Sequence, residues 1–542
     1  MPGNGLWSQK LHEYLQPRSH VLLEPRFERY ERFLGPLLNA PGSKYSLVEK
    51  DPTELQTYRD IVTEKAFPHQ TVRNPQDPMA QQQNDTLLVT GSLVWDPPLL
   101  GMGLDSMGKQ LYYHFNSAAR ANDLFHSFGL VRTLLWMKVE DLSPTLADSI
   151  SGLQKTNCFM QMSQNVDVIV NAERSPRKSG KGSSSREPQY EVESTIRALQ
   201  RGKRLGMELP EHRRDHIHKF AADIEQMSNG TGIVDNLEIQ RYLHDQHLAG
   251  MPTTGLLAEG LVEHYDAEKA IRTQYPEVDI GPGILMDVRT SRRKVRGDHP
   301  AKDQIRKYIK DCANVNLTLR RKKEIEELAN IGEAMYRLEC KILGMQDGPE
   351  KDAAMEELEK LDASWEAGHE KLPSNYTRAP GTELDDRLGL RAPPSPRVQW
   401  DNRSFEPLTM RMNEAWPTNR LSLISTESVP QPTDRFPEYF EWLGDFISGL
   451  YGMSADSVPE ALDKMQHGLA SIIDDCPSLK DPAKGGRLQM KHFRVRLLTS
   501  EMIEELLEAY KNWPFKAPGS DHNKYFRNRN SAQNFSGKPG PD

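Results

Sequence analysis

The sequence predicts an α/β protein: a doubly wound, mostly parallel sheet over residues 1–172, a charged helical insertion, and a small helical domain near the C-terminus. Three observations lead there. The strand-like segments are short, continuous apolar runs rather than alternating ones, the pattern of strands covered on both faces. They alternate with stretches of helical spacing, as crossover connections require. Finally, 37% hydrophobic against 27% charged residues, with a mean hydropathy of −0.68, is polar for one compact globule. A folded core with long solvated helices and disordered connectors fits that composition.

The elements follow in order. "LWSQKLHEYL" places Leu6, Leu11, Tyr14 and Leu15 at near-helical spacing, and "HVLLEP" is a short buried strand. "RFERYERFLGPLL" returns to helix, with Phe27, Tyr30, Phe33 and Leu34 on one face. "KYSLVEKD" and "DTLLVTGSLVW" are the next strands. "GKQLYYHFNSAARANDLFHSF" reads as helix, "LVRTLLWMKV" as strand, and "CFMQMSQNVDVIVNAE" as a strand pair.

Beyond residue 172 the composition changes. "RSPRKSGKGSSSREP" (174–188) is a basic Ser/Gly/Pro linker, read as a disordered loop. The segment 173–397 is a charged, mostly helical insertion with disordered linkers. Within it Ile325, Leu328, Ile331, Met335, Leu338 and Ile342, then Met355, Leu358, Leu361 and Trp365, recur at three- and four-residue steps, a helical hairpin with one narrow apolar seam. Residues 373–400 read as loop. Residues 398–512 finish the sheet with "RLSLISTESV" and add three amphipathic helices. Residues 513–542 form a polar, basic tail, expected to be disordered.

Several classes are set aside. The four cysteines (Cys158, Cys312, Cys340, Cys476) are widely spaced, so neither a zinc motif nor a disulfide framework is expected. No apolar run reaches about 18 residues, so no membrane span is expected. The net charge of −8 argues against nucleic-acid binding by the molecule as a whole, but leaves local basic clusters open. Three such clusters are "RGKR" (201–204), "HRRDHIHK" (212–219, with Arg213 and Arg214) and "RRKVR" (292–296, with Arg292 and Arg293). Each reads as a solvated face or as a set of phosphate contacts.

The residues that could carry chemistry stand at successive strand ends. Gly3 and Gly5 in "PGNGLWS" open a helix, where backbone amides approach a ligand closely. Two glycines near a terminus are also an ordinary turn. Glu24 closes the next strand about twenty residues on, the place of a ribose-binding acid in a doubly wound nucleotide fold. Asp51 follows the next strand, and Ser92 and Trp95 follow the one after. Four ligand-type strand ends in succession indicate a nucleotide-type pocket.

These residues resemble the rRNA adenine dimethylase family, S-adenosylmethionine-dependent N6-adenine methyltransferases. Its motifs run GPGxG, an acid after strand two, an acid after strand three, and NLPY after strand four. "MPGNG" matches the first from Pro2 onward, Glu24 and Asp51 match the acids, and "GSLVW" (91–95) occupies the NLPY place. With "FEPLTMRMNEAWP" the wording is most similar to the fungal mitochondrial transcription factor B branch, over 1–172 and more loosely 398–512. The resemblance implies a methyltransferase-like sheet with S-adenosylmethionine held weakly by Gly3, Gly5, Glu24, Asp51 and Ser92. The family has an arm and a first strand before the glycines. A chain opening inside the motif is expected to lack that strand, as a fragment or truncated gene model would, together with any import sequence.

In the family's NLPY loop an Asn carbonyl and a backbone carbonyl accept the hydrogens of the target amine while the aromatic ring stacks on the base. Here Ser92 replaces Asn, Val94 replaces Pro and Trp95 replaces Tyr. Trp95 can still stack on a flipped base, or can simply close the pocket as a core aromatic. Losing one positioned acceptor costs about 10²–10³ in rate by analogy with oxyanion holes, so methyltransferase activity is expected to be weak or lost. The first functional expectation is therefore a mitochondrial transcription initiation factor, binding mitochondrial RNA polymerase and DNA to assist promoter melting. The second is an N6-adenine dimethyltransferase of small-subunit rRNA. The third is a structural part of a mitochondrial ribonucleoprotein. No metal and no membrane partner are expected.

Overall fold

The structure is a computed structural model that describes residues 2–95, 97–101, 104–177, 186–281, 299–394, 396–416, 418–432 and 438–516. The chain divides into two units. A sheet unit comprises Met1–Leu146, Phe159–Glu173 and Pro407–Pro437; a helical unit comprises Ala147–Cys158, Arg174–Glu406 and Glu438–Asp542.

The sheet unit opens with α1 (Leu6–Leu15), β1 (His20–Leu23), α2 (Phe27–Leu38), β2 (Tyr45–Val48) and α3 (Leu55–Thr63). β1 and β2 pair in parallel, His20 opposite Tyr45 and Leu23 opposite Val48. Then come β3 (Gln83–Ser92), α4 (Met107–Ala121), β4 (Leu130–Lys138) and the short α5 (Val139–Leu142). Ser106 caps α4 by accepting the Lys109 amide, and the helix buries Leu111, Tyr112, Phe115, Ala118 and Ala119 along one face. α6 (Lys155–Gln161) leads into β5 (Gln164–Ala172), and β6 (Leu408–Met410) and β7 (Leu421–Ser428) complete the unit. These last five strands form one sheet in the order β3-β4-β7-β5-β6.

The sheet is mixed, not mostly parallel. β3 runs parallel to β4 and β5 to β6, but β7 lies antiparallel to both its neighbours. A strand buried on both faces carries the same apolar run in either direction, so composition could not reveal the reversal. The expected strand pair in "CFMQMSQNVDVIVNAE" is instead the helix α6 followed by β5. Its apolar run is too short for periodicity to separate helix from strand, and the Asn157 side chain accepts the Gln154 amide 2.9 Å away at the helix start.

The helical unit contains α7 (Pro188–Arg204), α8 (His216–Met227), α9 (Asn236–Leu248), α10 (Glu259–Gln274), α11 (Lys302–Leu343), α12 (Pro349–Glu370), α13 (Ala379–Arg391), α14 (Tyr439–Tyr451), α15 (Val458–Met465) and α16 (Ser500–Asn512). Ile196, Phe220, Ile224, Ile239, Leu243 and Tyr265 centre one core over α7–α10, closed by Leu319 of α11. In the α11–α12 hairpin Ile325, Leu328, Met335, Ile342, Leu358 and Trp365 are buried. No described helix is long and apolar enough to cross a membrane.

Residues 373–400, read as loop, contain α13. Pro380 stands in its first turn, where proline is tolerated. Leu384, Leu388 and Leu390 are buried, and so are Asp385, Asp386 and Arg387 between them, so no polar stripe advertises a helix. The ends of the 174–188 linker are likewise ordered. Arg186 binds both oxygens of Asp401, at 2.7 and 2.5 Å, and Arg174 binds Glu191 at 2.8 Å. Lys178 and Lys181 lie outside the described residues.

These contacts belong to a buried ionic lattice. Arg391 grips Glu193 from α7, Arg494 and Arg496 converge on Asp385, and Arg403 meets Glu406 at 2.7 Å. Burial drives the Glu191 carboxyl up, but Arg174, Arg186 and Arg403 outweigh it and hold it down at about 2. The most enclosed pair is Arg487 with Glu339, whose side chains are 1% and 0% exposed. Glu339 also accepts the Leu488 and Gln489 amides at 3.1 and 3.2 Å. Truncating one member leaves a charge buried without its partner. Glu339→Ala is therefore expected to cost about 3–5 kcal/mol in chemical denaturation, while Glu339→Leu combined with Arg487→Met recovers most of it. A single-variant loss below about 1 kcal/mol would show the pair to be dispensable.

Candidate functional site

Helix α1 orients the strand ends. His12, late in α1, stacks on Tyr45 and His20 at ring distances of 4.3 and 5.3 Å, and these two residues begin β2 and β1. Trp7, early in α1, donates its indole N–H to Thr90 Oγ1 at 3.0 Å and meets Trp136 edge-on at 5.7 Å. Thr90 and Trp136 are near the ends of β3 and β4. So α1 spans both sheets and runs against their strands, its N-terminus at their C-terminal ends. β1 and β2 form a two-stranded sheet of their own, and β3 is an edge strand of the five-stranded sheet with β4 beside it. Glu24 and Asp51 thus follow strands of a two-stranded sheet, whereas Ser92 ends a strand of the separate five-stranded one, so these strand ends do not share the single sheet expected from the sequence. In open α/β sheets ligands bind in the crevice outside the carboxyl ends of the strands, the end at which α1 begins.

Gly5 caps α1 in a left-handed conformation, φ +79°, and is buried. Its amide donates to the Pro2 carbonyl at 3.0 Å, which closes the turn. A Cβ at Gly5 would stand 2.7 Å from Leu34 Cδ2 of α2. Gly3, φ +57°, has nothing within 4 Å of a Cβ and is half-buried. Glu24 follows β1 and is 2% exposed. Its amide donates to the Val48 carbonyl at 3.1 Å, and its Oε1 accepts the Arg26 amide at 3.2 Å. Its Oε2 is buried and has no hydrogen-bond partner among the described residues.

Asp51 follows β2 and is exposed. Its Oδ1 accepts the Thr53 amide and hydroxyl, both at 2.8 Å, so one oxygen is used in a local turn. Ser92 ends β3 opposite Trp136 and is half-buried, with no partner for its hydroxyl among the described residues. Trp95 is half-buried and meets no other ring among the described residues. Arg213 and Arg214 belong to the helical unit. They stand in the 3₁₀ turn before α8 and just after it, and Arg214 Nε donates to the Leu209 carbonyl at 3.0 Å. Arg292 and Arg293 lie outside the described residues. Arg201 is not a solvated charge: its guanidinium donates to the Arg403 and Asp401 carbonyls at 2.8 and 2.6 Å.

The structure adds two residues to this edge. Asp141 follows β4 and is buried, and Ser106 Oγ, at the start of α4, donates to its Oδ2 at 2.8 Å. Burial pushes the Asp141 carboxyl up. Gly108 makes the approach possible, since a Cβ there would stand 2.3 Å from the Leu93 carbonyl oxygen. The strand-end rule applied to one more strand, "LVRTLLWMKVED", finds Asp141. Ser106 carries no comparable signal. In the helical unit Asp362, Glu366 and His492 could approach a cation together. Lys491 already stands 2.6 Å from Asp362 and 3.8 Å from Glu366, so the carboxylates share an ammonium.

A scan against protein-family models finds no match, and a search of curated proteins returns no similar chain. The two glycines give a direct test of the local geometry. Gly3→Ala is expected to cost about 1–2 kcal/mol, the left-handed backbone term alone. Gly5→Ala adds the clash with Leu34 and should cost measurably more in thermal or urea melts. Equal losses would mean that α2 yields freely and does not fix the start of α1.

Proposed function

We propose that the chain is a nucleic-acid-binding protein built on an S-adenosylmethionine-dependent methyltransferase fold, acting as a mitochondrial transcription initiation factor beside RNA polymerase. The observation that carries the reading is Glu24. A buried carboxylate oxygen without a donor is costly, and a ligand's hydroxyl groups at the end of β1 would satisfy it. The position of Gly5 at the start of α1 and of Glu24 just after β1 supports the same pocket. The cofactor, when bound, would supply an electrophilic methyl group. On the other side of the crevice, Ser92 offers a hydroxyl where the resembled family offers an amide carbonyl. With that acceptor changed, the fold serves in binding rather than in turnover.

Calorimetry with S-adenosylmethionine tests the pocket. The expected result is weak binding, with a dissociation constant above about 1 μM, or about −8 kcal/mol. It should be lost in Glu24→Ala and unaffected by Asp51→Asn at the oxygen already used by Thr53. Binding that ignores Glu24→Ala would remove the basis of the reading. Submicromolar binding together with methyl transfer to an adenine-containing RNA would instead favour the dimethyltransferase.

A further inference from the structure

The first half of α11 presents an unusual face. Arg306, Lys310 and Arg320 are exposed and follow one another at helical steps through Ala313 and Leu317, with Lys307 beside them. At 1.5 Å per residue this stripe is about 21 Å long. Among the described residues none of these four cations has an acidic partner. The acid within this stretch, Asp311, is half-buried, and its charge bears on His264, whose imidazole burial nevertheless holds below its ordinary value. At the ends, Asp303 occupies the first helical turn and Glu324 is bonded to Arg321. In a chain of net charge −8, cations concentrated without bonded acids mark a place where the molecule attracts rather than repels an anion.

We infer that this face of α11 docks along the phosphate backbone of duplex DNA. The length matches about six phosphates of one strand, at 3.4 Å each. The aromatic residue of this half-helix, Tyr308, is buried against His264, their rings stacked at 4.8 Å. The exposed face therefore offers cations and the polar Asn314 and Thr318, but no ring on which unpaired bases could stack. That favours a backbone contact over a single-strand platform. The choice of DNA over an acidic protein rests on the function proposed above. The surface is distinct from Arg213 and Arg214 and from the strand-end crevice.

The test uses the full chain and a fluorescently labelled DNA duplex of about 25 base pairs, with anisotropy read across a salt series. Arg306→Gln, Lys310→Gln and Arg320→Gln are combined in one variant. Glutamine keeps the helix propensity, and an unchanged melting temperature certifies the fold. A companion Lys307→Gln variant at one site serves if the triple variant does not fold. The triple variant should weaken binding at low salt at least tenfold and lower the log–log salt slope by up to about three units, one per lost phosphate contact. The single variant should lower it by about one. Glu24→Ala should bind the duplex like the parent, so the crevice and this surface fail independently. Three results overturn the inference: a salt slope unchanged in the variants, a parent that prefers the single strand or binds no DNA, and polyglutamate displacing the duplex at equal charge concentration.

Discussion

Strand β7 is the constraint on which the sheet unit depends. It lies between β4 and β5 and is the central strand of the five. Residues far downstream of β5 must therefore return and insert before the sheet is whole. The register is fixed at both faces of the insertion: Thr426 bonds Thr133 across one border, and Ser422 donates to Asn171 Oδ1 at 2.8 Å across the other. Such a return is affordable because closure entropy grows only logarithmically, about 0.6 kcal/mol for each doubling of loop length. It also requires that the intervening chain fold on itself instead of competing for the sheet. The helical unit, with its own core over α7–α10, meets that requirement.

That unit is held in a different way. Apolar packing closes α7 to α10, but α13 and the segment around Trp400 are fixed largely by ions. Arg387 donates to the Tyr190 hydroxyl at 3.1 Å and to Asn330 at 2.6 Å, and Ser194 donates to Asp401 at 2.6 Å. Burying charges in pairs yields little net stability, since desolvation offsets most of the attraction. Its consequence is selectivity: α13 can pack in few other registers without stranding a charge. Asp386 shows the cost. Burial raises its carboxyl to about 6 despite Arg186, Arg496 and the donors from Ser151.

Much of the α/β character was legible because apolar strands and amphipathic helices carry periodic signals. β1, β2, β3, β4 and β7 fall where the apolar runs are, and the α11–α12 seam buries Ile325, Leu328, Met335, Ile342, Leu358 and Trp365 of its expected steps, while Met355 is exposed. What escaped was what periodicity does not encode. β7's direction is silent in a strand covered on both faces. α13 is buried nearly all round, and the prolines just after it, in "RAPPSP", read as extended chain. The basic runs were misleading in part, because Arg174, Arg186 and Arg201 are consumed by buried acids and carbonyls. At the candidate site Glu24 and Gly5 could be singled out from spacing alone. The open valence of Glu24 Oε2 could not, because it depends on which neighbours fail to reach it.

The two sides of the crevice can change independently, and this bears on how the fold is read. Gly5 and Glu24 act through backbone shape and one buried acid. Among the described residues neither is hydrogen-bonded to Ser92, the last residue of β3, or to Trp95 beyond it. A ligand pocket needs its donors and acceptors satisfied in the ground state, and a retained acid serves that whether or not reaction follows. Transfer chemistry needs an acceptor positioned for the transition state, and on the proposed reading Ser92 is shorter than the amide side chain of the resembled family. Its free hydroxyl is no remedy, since a hydroxyl at a strand end can rotate to water, whereas a preorganised acceptor cannot. Holding a nucleotide while not acting on it is thus a coherent state of this architecture. The recognition role proposed above would then rest on surfaces such as α11, where cations are exposed and, among the described residues, have no acidic partner.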